Sequence, residues 1–318
     1  MKKILLKFIV YFFLMLVCLE GLVRVLHLYT EDPPRFIDSY GVEKRVPNHT
    51  GYAVTGNRNQ NYSKFSINNS GFNSHREFTP SKDKIEIAII GDSFIEGFHQ
   101  DFDDSLGNKI EDELKNNIEV YEYGYAGYDM ANQMHLIHAY KEDFEKIDHI
   151  VLYLNYKSDL GRSEYTPNTG RIAMLSSLLF KLRDNIKLLS YTSKIGILDS
   201  FKKMLGENNK DISNTIEGEE AQIEKEELFL NNFKQLVKLY GFDNNKTHIL
   251  LDSRKTSASF LNYCKENGMS YIDFSEAFEE SDSPTTLVYD KHWNNNGREL
   301  IASIVSEYFI TRSLDTVH

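Results

Sequence analysis

The chain has 318 residues, which is enough for one large domain with additions or for two small domains. Acidic residues outnumber basic residues by 47 to 36, giving a formal net charge of −11. A nucleic-acid binder needs clustered Lys and Arg to contact phosphates, so this charge balance, with no basic stripe, argues against nucleic-acid binding. The two cysteines, Cys18 and Cys264, are too few for a disulfide framework, and we interpret both as free thiols.

The N-terminal segment has the length and composition of a membrane-spanning helix. Two lysines precede a mostly apolar run over residues 4–26, in which Glu20 and Arg24 have the i, i+4 spacing of a helical ion pair. A helix of that length spans ~34 Å, compared with a hydrocarbon core of ~30 Å. No small-residue cleavage site follows the run, and the leading lysines favour a cytoplasmic N-terminus. We therefore expect residues 1–27 to be an uncleaved single-pass anchor, with the remainder periplasmic or extracellular. A cleaved signal peptide and a buried helix are the alternatives.

Short apolar strands alternate with helical patterns from residue 84 onward. The predicted strands cover residues 85–90, 118–123, 150–154, 248–251 and 270–274. The predicted helices cover residues 105–116, 128–146, 257–267 and 296–311. This alternation predicts an α/β domain over residues 81–318, with three α/β/α layers around a mostly parallel, doubly wound sheet. Residues 28–80 have few long apolar runs and are expected to form a linker and an irregular N-terminal extension.

A helical insertion interrupts this rhythm over residues 165–245. It contains apolar helical patterns at 172–189 and 195–205, followed by a charged helix at 217–240. Apolar stripes of this kind are usually core, and that is our interpretation. Alternatively, the insertion could form a lid over the site, or a surface that contacts a partner or the bilayer.

The first predicted strand ends in Gly91-Asp92-Ser93-Phe94. In doubly wound sheets ligands bind beyond the carboxyl ends of the strands, which is where Ser93 would lie. A serine hydroxyl becomes a nucleophile when a base takes its proton, and a backbone N–H at a helix start can stabilise an oxyanion. The alternative is structural: a tight turn at Gly91, with Asp92 or Ser93 capping the next helix.

Asp290-Lys291-His292 precedes the last predicted helix. His292 is the candidate base, and Asp290 would orient its imidazole and stabilise the protonated form. We expect an extended segment here, because residues i and i+2 of an extended chain project to the same side. The alternative is a loop in which Asn294 or Asn295 caps the last helix. The scattered histidines include no zinc-type spacing, so neither a metal nor another cofactor is predicted.

The second predicted strand ends in Gly124-Tyr125-Ala126-Gly127. Glycine permits close approach, so Gly127 could present a backbone N–H to a substrate. The alternative is an ordinary turn at the end of a strand. The segment does not match a dinucleotide-binding fingerprint, because the third glycine is missing.

Together, the order Gly-Asp-Ser-Phe, Gly-x-x-Gly and Asp-x-His resembles the SGNH (GDSL-type) hydrolase family. The resemblance covers residues 84–314, with the insertion in its middle. Residues 67–72, Ile-Asn-Asn-Ser-Gly-Phe, together with the N-terminal anchor, resemble a membrane-anchored bacterial branch of that family. The resemblance implies a flavodoxin-like sheet, with Ser93 as nucleophile and oxyanion donor, Gly127 as a second oxyanion donor, and Asp290 and His292 completing a triad.

The chain departs from the family pattern at the third strand. The family has an asparagine there as a further oxyanion donor, whereas this chain aligns Ser158 at that position. Asn155, three residues earlier, could take the role if the loop bends. The Asp-x-His spacing also differs from the commoner Asp-x-x-His.

These residues predict a serine esterase or O-acetyltransferase that works through an acyl-enzyme without a cofactor. Phe94, Tyr128 and Trp293 are candidates for lining its pocket. An ester outside the cytoplasm, such as an acylated polysaccharide, is the expected substrate, and residues 4–26 would contact the membrane. The alternative is a catalytically inactive module on the same fold that binds a carbohydrate or a partner.

Overall fold

The structure, a computed structural model, describes residues 1–55, 60–114, 118–197 and 219–315. Contacts divide the chain into two compact units. One unit comprises Met1–Asp32, Tyr52–Tyr62 and Thr169–Ile216, and the other comprises Pro33–Gly51, Ser63–Asn168 and Glu217–His318.

The elements are numbered in chain order. The strands are β1 (Arg35–Ile37), β2 (Glu43–Arg45), β3 (Thr50–Thr55), β4 (Asn61–Ser66), β5 (Ile85–Gly91), β6 (Ile118–Gly124), β7 (His149–Leu154), β8 (Thr247–Leu251) and β9 (Ser270–Asp273). The helices are α1 (Lys2–Val25), α2 (Ser93–Glu96), α3 (Leu106–Leu114), α4 (Met130–Ala139), α5 (Lys141–Phe144), α6 (Thr169–Leu175), α7 (Leu178–Asn185), α8 (Lys187–Lys194), α9 (Glu219–Tyr240), α10 (Ala258–Glu266), α11 (Ser275–Glu279) and α12 (Asn295–Asp315).

A five-stranded parallel sheet forms the centre of the second unit. Its strand order is β6-β5-β7-β8-β9, which is the 2-1-3-4-5 order of flavodoxin-like sheets. The switch in strand order lies at β5, between β6 and β7, so the loop after β5 opens at the edge where such sheets bind ligands. The predicted α/β fold with a doubly wound sheet is confirmed.

Helices cover both faces of this sheet. On β5, Ala88 and Ile90 pack into one apolar cluster, while Ile87 and Ile89 pack into the other. The first cluster includes side chains of α4, α9 and α10, and the second includes side chains of α3 and α12. Alternate residues of a strand face opposite sides, so an apolar run buries both faces and produces three layers.

The N-terminal extension contains two short sheets, in which β1 pairs with β2 and β3 pairs with β4. All three residues of β2 are buried although all three carry charge. Glu43 accepts a hydrogen bond from the backbone of Asn168 at 2.9 Å, and Lys44 lies 3.0 Å from Asp38. Burial of charge requires such partners, so this segment is packed structure and not a linker at this point.

The predicted helices differ from the observed ones in two places. The helix expected at 128–146 is interrupted at Tyr140, between α4 and α5. The apolar pattern at 172–189 is divided into α6, α7 and α8, because the Ser177 hydroxyl caps the start of α7 and Ile186 leaves the helical conformation before α8. Most of the pattern at 195–205 lies outside the described residues.

α1 is long and apolar enough to cross a membrane, with a mean hydropathy of 2.2 over its most apolar stretch. That stretch is not buried in the structure.

Candidate active site

Ser93 is the first residue of α2, directly after β5. A side chain at Gly91 would lie 2.5 Å from Ile95 Cγ1 and 2.9 Å from Tyr153 Cβ, so only glycine fits at the end of this strand. The Asp92 carboxylate accepts a hydrogen bond from the Phe94 backbone N–H at 2.9 Å and caps the helix. The cap is therefore Asp92, which leaves the Ser93 hydroxyl available for other contacts.

Ser93 and His292 meet at the carboxyl edge of the sheet. Ser93 Oγ lies 2.8 Å from His292 Nε2, although the two residues are 199 positions apart in the chain. An unprotonated Nε2 can therefore accept the hydroxyl proton directly.

Asp290 lies on the other side of the His292 ring. Its Oδ1 is 3.3 Å from His292 Nδ1, within ion-pair range but without the alignment of a hydrogen bond. The same oxygen accepts the His292 backbone N–H at 3.0 Å. One carboxylate oxygen thus restrains both the backbone and the ring of the candidate base.

The segment between Asp290 and His292 is not extended, so the expectation of an extended chain was wrong. Lys291 has φ of +64°, in the left-handed region. A short antiparallel hairpin produces this turn: the Leu287 N–H donates to the His292 carbonyl at 2.7 Å, and Thr286 bridges Trp293. Asn294 ends the hairpin and accepts the Gly297 N–H at 2.9 Å, so it also caps α12.

His99 is a site residue that the sequence analysis missed. Its Nε2 lies 2.8 Å from Asp290 Oδ2, the carboxylate oxygen that does not face His292. The His99 and His292 rings stack with centroids 4.0 Å apart and planes 19° apart. The sequence did contain a signal for this position, namely a histidine six residues after Ser93. The helix α2 is short and ends at Gly97 in the left-handed conformation, so the chain turns back toward Ser93.

His99, Asp290 and His292 carry potential metal-ligating atoms within 4.8 Å of one another. The two imidazole rings, however, stack almost in parallel, so the lone pairs on their nitrogens lie in parallel planes. Metal coordination needs lone pairs that converge on one point. The contacts that His99 and His292 each make with Asp290 account for this grouping instead.

Burial sets the protonation of these groups. Burial lowers the pKa of His292 below its usual value, although the Asp290 charge acts in the opposite direction. Burial lowers the pKa of His99 to about 4, and the proximity of His292 adds to the effect. Both imidazoles are therefore neutral near pH 7, which is the state a general base requires.

Two nearby carboxyl groups have raised pKa values. Burial raises the pKa of Asp92 to about 7 and that of Asp159 to about 8, with the Asp92 charge adding to the effect on Asp159. Asp159 accepts the backbone N–H of Asn155 at 2.8 Å, so it holds the loop after β7.

The turn after β6 packs directly against α2. A side chain at Gly124 would lie 2.1 Å from the Glu96 backbone nitrogen, so this glycine permits the contact. The Ala126 N–H donates to Glu96 Oε2 at 3.1 Å and the Tyr125 N–H to the Gly91 carbonyl at 3.0 Å. Gly127 follows with φ of +97°, a conformation that suits glycine.

Asn155 and Ser158 are the two candidates for a further oxyanion donor, and they differ in position. Asn155 lines a cleft together with Phe94 and Trp293. Ser158 is exposed, and its hydroxyl donates to Asp159 at 2.7 Å. Of the two, Asn155 is the one that lines this cleft.

A cleft with a volume of about 320 Å³ lies next to the loops that carry Ser93 and His292. Phe94 and Trp293 line it, and their rings contact edge to face at 4.9 Å. Tyr128 does not have the expected position: it is buried in the core and its hydroxyl donates to the Glu43 carbonyl at 2.5 Å. Charged residues complete the lining, namely Asp252, Arg254, Lys255 and Lys291.

The chain is similar to several solved structures, which are the only matches that the comparisons with known proteins found. No protein-family model matches the chain, and no curated protein matches it. A member of the lipolytic protein G-D-S-L family from Veillonella parvula DSM 2008 is 14% identical, over 71% of this chain and 98% of that chain, with a TM-score of 0.39. The lipase/acylhydrolase from Enterococcus faecalis is 12% identical, over 72% and 96%, with a TM-score of 0.42. Est24, a carbohydrate acetylesterase from Sinorhizobium meliloti, is 8% identical, over 72% and 99%, with a TM-score of 0.41.

Proposed function

We propose that this chain is a serine-dependent acyl-ester hydrolase or O-acyltransferase of the SGNH type. The observation that carries the proposal is the 2.8 Å contact between Ser93 Oγ and His292 Nε2, at the edge of the sheet where ligands bind. A serine and an imidazole at this distance, with a carboxylate behind the imidazole, form the arrangement that nucleophilic acyl transfer requires.

The reaction proceeds by double displacement. His292 takes the hydroxyl proton as Ser93 Oγ attacks the ester carbonyl carbon, and a tetrahedral oxyanion forms. The oxyanion collapses, the C–O bond to the alcohol breaks, and His292 returns the proton to the departing alkoxide oxygen. Water or a sugar hydroxyl then attacks the acyl-enzyme, His292 accepts its proton, and Ser93 is released with its hydroxyl restored. Asp290 stabilises the imidazolium that forms in each half.

The oxyanion is stabilised by backbone N–H groups. Ser93 contributes its own N–H at the start of α2, and Gly127 contributes a second from the turn that Glu96 holds against this helix. The Asn155 side chain is the third donor in this proposal, because it lines the cleft. A donor of this kind contributes about 3 kcal/mol to transition-state stabilisation.

The proposed substrate is an ester carried by a polar molecule outside the cytoplasm, such as an acylated polysaccharide. The mixture of aromatic rings, an amide and charged groups along the cleft suits a hydroxyl-bearing carrier with a short acyl group. α1 would anchor the enzyme, with the catalytic unit on the outer side of the membrane.

Hydrolysis of p-nitrophenyl acetate by the full chain in detergent tests the proposal. We expect Ser93→Ala to lower the rate at least a thousandfold, and a fluorophosphonate probe to label the wild type but not this variant. His292→Ala should also prevent labelling, because the hydroxyl loses its base. Ser253→Ala, which removes another hydroxyl from a loop at the carboxyl end of a strand, is the matched control and should keep both activities. Equal hydrolysis by wild type and Ser93→Ala, with no labelling, would favour an inactive binding module.

A further inference from the structure

α7 carries a stripe of large apolar side chains that face outward. Leu178 and Leu179 are 85% and 80% exposed, and Leu182, four residues after Leu178, continues the stripe at 52% exposure. Side chains four residues apart lie on the same face of a helix, so this is one continuous apolar surface. Exposed apolar surfaces of this kind mark places where a protein meets a partner or a membrane.

The segment that carries the stripe has a net positive charge. Residues 169–194 contain five Lys or Arg residues and a single acidic residue, Asp184, although the chain as a whole carries a net charge of −11. The basic residues are Arg171, Lys181, Arg183, Lys187 and Lys194. A helix with an apolar face and basic flanks is typical of segments that lie in the interface of an anionic bilayer.

Glu20 and Arg24, the charged residues in the last turns of α1, bind the junction between α7 and α8. The Glu20 carboxylate accepts the backbone N–H groups of Lys187 and Leu188 at 3.0 and 2.7 Å, so it caps the start of α8. Arg24 donates to the Asn185 carbonyl at 2.6 Å, at the last residue of α7, and to Glu20 at 2.7 Å. The charges that interrupt the apolar anchor therefore join it to these helices.

Aromatic rings collect where α1 ends. His27 stacks on Tyr29 with centroids 4.3 Å apart, and Tyr52 stacks on Tyr62 at 4.8 Å. Lys187 Nζ lies 4.6 Å from the centre of the Tyr29 ring. Tyrosines with adjacent cations concentrate at the headgroup level of membranes, so this cluster marks the depth at which the anchor leaves the bilayer.

We propose that α7, with the flanking parts of α6 and α8, lies on the surface of a bilayer that contains anionic phospholipid. The leucine stripe enters the acyl region, the basic residues contact phosphate groups, and the contacts of Glu20 and Arg24 fix the segment at the end of the anchor. This inference depends on insertion of α1 into the membrane and is independent of the esterase proposal.

Lipid quenching of a fluorophore tests the inference. The full chain, with Cys18→Ser and with the buried Cys264 left in place, is given a single new cysteine by Leu179→Cys and labelled with an environment-sensitive NBD group. Asp184→Cys, an exposed polar position on the same helix, is the matched control, and the original chain labelled at Cys18 within α1 reports insertion of the anchor. Each protein is reconstituted in bilayers of phosphatidylcholine and phosphatidylglycerol that contain doxyl-labelled acyl chains.

We expect quenching at position 179 to be several-fold stronger than at position 184 and comparable to that at Cys18. Equal quenching at 179 and 184, with Cys18 quenched, would overturn the inference, and so would an unquenched label at Cys18. In bilayers of phosphatidylcholine alone, quenching at 179 should fall several-fold, and an unchanged value would overturn the assignment of anionic lipid. Ser93→Ala should leave all of these values unchanged, which separates this test from that of the esterase.

Discussion

Arg45 and Glu96 form a buried ion pair that joins the N-terminal extension to the helix carrying Ser93. Arg45 Nε lies 2.8 Å from Glu96 Oε1, and the two side chains are 1% and 2% exposed. The second Glu96 oxygen accepts the Ala126 N–H in the turn before Gly127. One carboxylate therefore holds β2, α2 and this turn in a fixed arrangement.

Glu96→Gln should destabilise the fold by about 3 kcal/mol, because a neutral amide replaces the buried carboxylate that pairs with the Arg45 guanidinium. Thermal unfolding of the full chain in detergent measures the loss. Glu280→Gln, at an exposed position in the same unit, is the control and should change stability by less than about 0.5 kcal/mol. Equal melting temperatures for Glu96→Gln and the wild type would contradict this role of the ion pair.

His99 should act as a positioning residue through Asp290. His99→Phe keeps a ring against His292 but removes the contact with Asp290 Oδ2, and we expect kcat to fall about tenfold, as for loss of a hydrogen bond to a charged group. His99→Asn, which retains an N–H donor, should recover part of this loss. The pH dependence of kcat should shift in His99→Phe, because the released carboxylate can contact His292 differently. A role in packing alone would predict an unchanged pH profile and full activity in the phenylalanine variant.

The pH dependence of kcat/KM should follow the neutral form of His292. Because burial holds the pKa of His292 below its ordinary value of 6.5, the base stays unprotonated to a lower pH than a free imidazole would. Activity should therefore be constant through neutral pH and decline on acidification only below 6.5. A midpoint at or above 6.5 in p-nitrophenyl acetate hydrolysis would contradict this assignment.

Asn155 and Ser158 should differ in their effect on catalysis. Asn155→Ala is expected to lower kcat about a hundredfold if its amide stabilises the oxyanion. Ser158→Ala should lower it less than about threefold, since that hydroxyl donates to Asp159 instead. Parallel kinetics, with binding of a nonhydrolysable phosphonate as a second measure, separate the two residues. The reverse ranking would place Ser158 in the oxyanion hole.

Much of the fold could be predicted because its signals are local. The β-branched run from Ile85 to Ile90 and the glycine after it indicate a buried strand and its end without reference to the rest of the chain. Ser93 could be placed at the ligand-binding edge because it follows the first strand of a parallel sheet, whereas its pairing with His292 was expected from the resemblance to the SGNH family.

Other features depend on contacts between residues that are far apart in the chain, which no local sequence pattern predicts. The charged triplet Glu43–Arg45 is typical of a surface, and it is buried because Glu96 and Asp38 supply partners from elsewhere in the unit. His99 has no motif, since its relation to Asp290 arises from the hairpin before α12. Tyr128 was expected at the pocket because it follows Gly127, but its side chain points into the core.

The left-handed backbone at Lys291 has a consequence for evolution of the loop between Asp290 and His292. A β-branched residue there would cost about 1–2 kcal/mol, whereas glycine or asparagine would adopt the conformation readily. Main-chain geometry should thus limit which residues occur between Asp290 and His292: valine and isoleucine should be rare, and side-chain chemistry should otherwise be free. Position 291 carries no catalytic group, but related proteins should have a residue there that tolerates positive φ. This requirement helps to distinguish relatives from unrelated sequences.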